Sequence, residues 1–259
     1  MRYDTLIFLD IDGTLLRPDY RPNADPRSVA RAIRALEPHG ILCCLNSNRS
    51  LHDLLPLVRS FGITGPIIGE NGVWRWRRGR RHVLIRAPKI RVRLLRTLRS
   101  LAHKTSARIE TADTVRYDWT RVRRVPLAWI MNRYREYTAS IHVRVRGKKD
   151  VRAARSLARA LRKTFGKSYT VRVSDTFANV LIIPIGAKKT AAMLALRDRA
   201  FPAARIIMIG DEIGDLPPRR AIDAFYAVGN ASAVVRRRAD GVARSSYTRG
   251  VVEILRSLT

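Results

Sequence analysis

Phe8-Leu9-Asp10-Ile11-Asp12-Gly13-Thr14-Leu15 decides how the rest of this 259-residue chain is read. An apolar run, Leu6 to Leu9, ends in two aspartates separated by one residue, and a glycine follows at once. A run apolar throughout fits a strand buried on both faces, as in a parallel sheet covered by helices. Ligands of such sheets gather beyond the carboxyl ends of the strands. Three further polar signals stand just past apolar runs: Ser47 after Leu42–Leu45, Lys189 after Val180–Ile185, and Asp211 with Asp215 after Ile206–Ile209. Their placement predicts one site at the carboxyl edge of one sheet.

Working outward, strands and helices alternate. Thr5–Leu9, Ile41–Leu45 and Pro66–Ile68 read as strands, and Pro26–Glu37 and Leu51–Phe61 as helices. The pattern predicts an α/β fold, a doubly wound, Rossmann-like parallel sheet. From about Val73 the chain turns Arg-rich, and Ser140–Arg146 alternates Ile141, Val143 and Val145 with His142, Arg144 and Arg146. Tyr169–Val173 repeats that design, and Asp150–Phe165 reads as an amphipathic helix between them. Val180–Ile183, Ile206–Ile209 and Phe225–Val228 then read as a return to buried strands, with helices over Lys189–Ala200 and Leu216–Ile222. The expected organisation is a core of residues 1–73 and 178–259 with an inserted basic α+β domain over 74–177.

Net charge is +30, with 51 Lys and Arg against 21 Asp and Glu. Residues 75–172 hold 30 of those basic groups and five of the acidic ones. Such an imbalance fits an anionic partner or a solvated, Arg-rich surface. No apolar run reaches the length of a membrane span. The first strand begins at about Thr5, which leaves no room for a cleavable leader, so a cytoplasmic protein is expected. Cys43 and Cys44 are neighbours in a strand, point to opposite faces, and read as core residues.

Asp10, Asp12, Asp211 and Asp215 converging on one crevice would repel one another, and oxygen ligands of that kind suit Mg²⁺. Gly13 lets the backbone turn and bring amides to an anion. Ser47 and a lysine opening a helix complete a cage suited to phosphate.

The set resembles the haloacid dehalogenase superfamily of phosphatases. Asp10-Ile11-Asp12-Gly13-Thr14, Ser47, Lys189, and Gly210-Asp211 with Asp215 match its four motifs in order, and Gly229-Asn230-Ala231 its C-terminal end. Ala187-Lys188-Lys189-Thr190 leaves two lysines open for the third motif, with Lys189 favoured by its spacing to Ala192 and Met193. Gly214 stands where relatives often have Asn. The resemblance implies Asp10 as nucleophile, Asp12 as acid and base, and Ser47 and Lys189 as phosphate ligands. It implies Mg²⁺ on Asp10, the Asp12 carbonyl, Asp211 and Asp215. Gly13, Thr14, Asn48, Arg49 and Asn71 are the further substrate-binding candidates beside them.

An insertion between the second and third motifs resembles the large type-2 cap of sugar-phosphate phosphatases. Pro66–Gly72 resembles mannosyl-3-phosphoglycerate phosphatases, and its Glu70-Asn71-Gly72 occurs also in phosphoglycolate phosphatases; Asn and Gly being common turn residues, the structural turn is the preferred reading of those three. His142, Arg144, Arg146 and Arg172 on the cap strands either contact the leaving group, the arginines gripping a second negative charge of a small phosphorylated metabolite, or stand on an outer surface and only solubilise. The alternative partner is nucleic acid, met by Trp74-Arg75-Trp76-Arg77-Arg78 and Arg121-Val122-Arg123-Arg124.

Overall fold

The structure, a computed structural model, describes residues 3–218 and 221–259. The chain forms two compact units, Met1–Ile85 with Lys188–Thr259, and Arg86–Ala187. In chain order the first unit begins with β1 (Thr5–Leu9), α1 (Pro26–Leu36), β2 (Ile41–Asn46), α2 (Leu51–Phe61), β3 (Ile67–Gly69), β4 (Trp74–Arg77) and β5 (Arg80–Val83). The second unit holds α3 (Arg91–Thr105), β6 (Arg108–Ala112), β7 (Ala128–Asn132), β8 (Ala139–Val145), β9 (Lys148–Lys149), α4 (Val151–Phe165), β10 (Tyr169–Ser174) and β11 (Asn179–Pro184). The first unit resumes with α5 (Lys189–Ala200), β12 (Arg205–Gly210), β13 (Ala224–Ala227), α6 (Ala233–Arg236), β14 (Gly241–Val242) and α7 (Tyr247–Ser257).

The first sheet runs β14-β13-β12-β1-β2-β3-β4-β5. It is parallel from β14 to β3 and gains two antiparallel strands at the β4–β5 edge. β1 lies inside it, and all five of its residues are buried. Leu6 and Phe8 pack with Leu42, Cys44, Ile206 and Met208 against Met193 and Leu196 of α5. Ser50 caps α2 by accepting from the Asp53 amide, and Gly62 closes that helix in the left-handed region with φ 64°.

The second sheet runs β10-β11-β8-β7-β6, with β9 paired to β8. One face packs Trp129, Ile141, Val143, Val171, Val180 and Ile182 against Leu94 and Leu98 of α3 and Ala154, Leu157 and Leu161 of α4. The other face packs Ala128 and Ile130 with Tyr117, Val122 and Trp119, which follow β6.

Three sequence expectations change. Trp74–Arg77 and Arg80–Val83 extend the first sheet, so the first unit continues to Ile85. Val180–Ile183 lies in β11, an antiparallel strand between β10 and β8, so the second unit reaches Ala187 instead of ending at 177. The helix expected over Leu216–Ile222 does not form at 216–218 or 221–222; Arg219 and Arg220 lie outside the described residues. Pro217 and Pro218 hold the preceding residues out of the helical region and remove two amide donors.

Candidate active site

Register places the site. Leu9 of β1 faces Leu45 of β2 on one side and Ile209 of β12 on the other. Asp10 therefore stands abreast of Asn46 and Gly210, one residue before Ser47 and Asp211 on the flanking strands. The Asp10 amide donates to the Ile209 carbonyl at 3.0 Å, so β1 and β12 stay joined to the edge.

Asp10, Asp211 and Asp215 converge there, each offering a carboxylate oxygen within 4.8 Å of the others. Lys189, the first residue of α5, donates from Nζ to Asp10 Oδ1 and to Asp215 Oδ1, both at 2.6 Å. Lys188 is exposed. The amino group at the carboxylates thus belongs to Lys189, and Asn46 secures that helix start by donating from Nδ2 to the Lys189 carbonyl at 3.3 Å. Asn46 carries no motif, and its only sequence signal is a polar residue closing an apolar strand.

Three carboxylates, Asp10 and Asp215 buried and Asp211 half-buried, face one ammonium, and the electrostatics reflect the imbalance. Burial, and then Asp215, push the Asp10 carboxyl well above the ordinary carboxylate range, while Lys189 pulls it back. Burial and Asp215 push Asp211 up to about 8. Burial disfavours the Lys189 charge, yet Asp10 and Asp215 outweigh it and hold the amine protonated. Excess negative charge and hard oxygen donors at a site where Asp10 and Asp215 are buried fit a divalent cation on Asp10, Asp211 and Asp215.

Gly13 and Thr14 serve this cluster instead of presenting donors to an anion. The Gly13 amide donates to the Leu16 carbonyl at 2.8 Å and is already used. Gly13 has φ +90°, and a Cβ there would fall 2.2 Å from Asp211 Oδ2. The Thr14 hydroxyl donates to Asp211 Oδ1 at 2.8 Å. Asn230 closes the same loop, donating from Nδ2 to the Gly13 carbonyl at 2.7 Å.

Asp12 turns its carboxylate to Arg49, which grips it in bidentate fashion: Nε to Oδ2 at 2.9 Å and Nη2 to Oδ1 at 2.6 Å. Burial works against the Arg49 charge, but Asp12 raises its pKa further than burial lowers it. The guanidinium also lies over Tyr20, 5.2 Å from the ring centre. Ser47 is 1% exposed, and its Oγ accepts from the Arg49 amide at 3.3 Å. Asn48 is half-buried, with Oδ1 buried and unpaired.

Glu70-Asn71-Gly72 acts as the brace for that loop. The Glu70 amide donates to the Arg49 carbonyl at 3.1 Å, and the Asn71 amide to the Ser47 carbonyl at 3.2 Å. Both residues adopt positive φ, 46° and 63°. A Cβ on Gly72 would meet the Lys188 carbonyl at 2.6 Å, so the turn packs directly on the start of α5.

In the second unit the expected anion grip changes. Arg144 is 6% exposed, stacks 4.2 Å from the Trp119 ring centre, and donates from Nη1 to the Val143 carbonyl at 3.1 Å. It is built into the sheet face instead of standing open. Arg146 is exposed in the β8–β9 turn with φ 47°, beyond the strand face assigned to it. Arg172 is half-buried on β10, with Nε buried and unpaired. Trp74 is fully buried and donates from Nε1 to Glu70 Oε1 at 3.1 Å, so it offers no face for stacking on a base.

A doubly wound α/β unit with buried aspartates and a lysine at the carboxyl edge of β1 defines an acidic, cation-ready site. The sequence profile of haloacid dehalogenase-like hydrolases matches residues 7–91 and 128–255, and the chain belongs to that family. Solved structures of similar fold include a haloacid dehalogenase-like hydrolase from Bacteroides thetaiotaomicron, with TM-score 0.71, 19% identity and 100% of each chain covered. A Thermoplasma acidophilum protein has TM-score 0.69 and 20% identity, covering 99% of this chain and 98% of the other. A second Bacteroides thetaiotaomicron protein, described among the phosphatases of the superfamily, has TM-score 0.64 and 18% identity, covering 98% and 95%. None of the curated proteins compared with the chain matches it. No helix among the described residues is long and apolar enough to cross a membrane.

Proposed function

We propose that this protein is a Mg²⁺-dependent phosphomonoester hydrolase. The observation that carries the reading is Lys189 bridging Asp10 and Asp215 at 2.6 Å beside Asp211, at the end of β1. Asp10, Asp211 and Asp215, with the Asp12 carbonyl, are the proposed Mg²⁺ ligands. When bound, the ion would neutralise phosphoryl oxygens and the carboxylate excess.

An Asp10 carboxylate oxygen attacks phosphorus, the ester P–O bond breaks, and an aspartyl-phosphate forms. Asp12, once released from Arg49, takes up a proton from solvent and gives it to the leaving oxygen. It then takes one from water, whose oxygen displaces Asp10 and releases inorganic phosphate. Lys189 occupies Oδ1 of Asp10, which leaves Oδ2 as the attacking atom. Arg49 holds Asp12 away from the carboxylate cluster, so an arriving phosphate must draw Arg49 off before Asp12 can act. This fits Arg49, Ser47 and Asn48 as phosphate ligands.

The proposed substrate is a small anionic metabolite, with mannosyl-3-phosphoglycerate or a related sugar phosphate first and phosphoglycolate as the alternative. Arg172, with its unpaired Nε, is the inserted unit's proposed residue for a second negative charge. The test is phosphate release from a panel of these esters, hexose phosphates and nucleotides, with and without Mg²⁺. Turnover that needs Mg²⁺ and vanishes in Asp10→Asn is expected. Turnover that persists in Asp10→Asn would overturn the nucleophile, and no turnover of any phosphomonoester would overturn the reaction class.

A further inference from the structure

The four arginines Arg152, Arg155, Arg159 and Arg162 of α4 line a groove of about 680 Å³ with Val173 and Asp175 beside β10. Their spacing places all four within roughly 80° of helix arc, along a ladder about 15 Å long at 1.5 Å per residue. All four are exposed. The ladder lies next to the apolar stripe Ala154, Leu157, Ala158 and Leu161 that docks α4 on its sheet, so it is held against the sheet's edge. β10 is an end strand of that sheet. Its Val171 carbonyl accepts from Arg162 Nε at 3.0 Å, which ties the far end of the ladder to the edge.

Charge in the groove is unbalanced. Arg155 pairs with Asp175 at 2.8 Å, with both side chains mostly exposed, a pairing of little energetic weight. Arg152 and Arg159 have no acidic partner among the described residues. Residues 86–187 hold 25 Lys and Arg against six Asp and Glu, and Asp175 is the acid that lines the groove against its four arginines. A small anion would engage one or two of four guanidiniums spread over about 15 Å, whereas a chain of phosphates engages all of them. No aromatic side chain lines the groove. Its contacts are therefore to phosphate and carry no base readout. The arginines line a concave groove between a helix and a strand edge, which suits a flexible single strand, whereas duplex reading puts a convex element into a DNA groove.

We infer that the α4–β10 groove binds single-stranded nucleic acid through its phosphates, independently of sequence. The basic runs around Trp74 and Arg121 play no part in this site.

The test is fluorescence anisotropy of a labelled 20-nucleotide single strand with the full chain, from 50 to 300 mM salt. Neutralising three to four phosphates gives a slope of log K against log salt of about −2 to −3. Replacing Arg152 and Arg159 together by Gln is expected to weaken binding at least tenfold at 50 mM salt and to flatten the slope by about 1.4. Replacing Asp175 by Asn removes the competing acid and is expected to tighten binding. A double Gln variant at Arg27 and Arg31 removes the same charge from a second groove, of about 590 Å³, on α1 and α2. That variant is expected to change affinity less than twofold. No binding at 50 mM salt overturns the inference. Equal weakening by the two double variants also overturns it, because the affinity is then only that of a highly basic chain. Retention of the protein by phosphatidylserine vesicles without retention of the strand overturns it in favour of a membrane surface. Asp10→Asn is expected to bind the strand as the unaltered protein does, which separates this groove from the phosphatase reading.

Discussion

The two units bury charge in opposite ways. The first buries carboxylates: Asp10 is 3% exposed and Asp215 1%, and they are countered by Lys189. The second buries cationic and imidazole groups, Arg144 and His142, at 6% and 3% exposed. No Asp or Glu is fully buried there among the described residues. In the first unit charge is balanced by charge, an arrangement that depends on every partner staying in place. In the second, Arg144 is held by the face of Trp119 and by backbone carbonyls, and His142 stays neutral with its ring 5.4 Å from Trp119. A polar group buried on aromatic and backbone contacts distributes its support. Single deletions should therefore be severe in the first unit and mild in the second.

The largest break expected in this contrast is Lys189→Met. It leaves Asp10 and Asp215 facing Asp211 without an internal cation. Loss of one partner from a buried ion pair costs roughly 3–5 kcal/mol. Urea unfolding in Mg²⁺-free buffer should show that loss, and added Mg²⁺ should recover part of it. A loss below 1 kcal/mol would show that the carboxylates do not depend on the lysine.

Gly13→Ala probes how closely the loop is fitted to Asp211. The substituted methyl would meet Oδ2 at 2.2 Å, in a backbone conformation that Ala disfavours. Asp211 must move and loses its bond from Thr14. Misplacement by about 1 Å near the reacting atoms costs on the order of 100-fold in rate. Phosphate release from the best substrate should fall by about that factor while the far-UV circular dichroism is unchanged. A rate within twofold of the parent would mean that Asp211 has room to spare.

His142 sharpens the contrast through pH. Burial, followed by Arg144, Arg135 and Lys149, lowers its pKa to about 3 from an ordinary value near 6.5. The folded state thus binds fewer protons than the unfolded state between those values. The stability tied to the neutral ring is complete above pH 6.5 and is lost progressively as pH falls toward 3. At pH 5 that amounts to about 2 kcal/mol. His142→Gln should flatten this acid limb relative to the parent in urea titrations from pH 7 to 4. Parallel curves for the two proteins would show that carboxylates, not this imidazole, govern acid sensitivity.

The same contrast explains what could be read from the chain beforehand. Much of the candidate site is legible because Asp10, Ser47 and Asp211 follow apolar strands of one sheet, whereas Lys189 follows β11 of the other sheet and enters the site from the start of α5. Register then had only one way to bring them together. Alternation in β8 separated Ile141 and Val143 from His142 and Arg144 correctly. Nothing in that alternation says what covers the second face. The cover comes from Tyr117 and Trp119, in a segment without periodicity. β11 departs from the expectation for a related reason: an inner antiparallel strand is as apolar as a parallel one, and composition does not name its neighbours. The Arg49–Asp12 pair was out of reach as well, since 37 positions separate residues that a loop after β2 brings together.

Trp119 carries the smallest effect and isolates what holds the buried guanidinium. Its ring lies 4.2 Å below the Arg144 carbon and packs edge-on to Tyr117 at 4.8 Å. Trp119→Leu keeps an apolar cover but removes the quadrupole that attracts the cation. The carbonyls of Val143 and Phe177 remain as acceptors for Nη1. The expected loss is therefore only about 1 kcal/mol. A double-mutant cycle with Arg144→Met in urea unfolding would assign that figure to the pair. Additive losses would locate the support in the backbone carbonyls. Coupling near 1 kcal/mol would establish that the second unit buries a positive charge on an aromatic face, where the first uses a salt-bridged lysine.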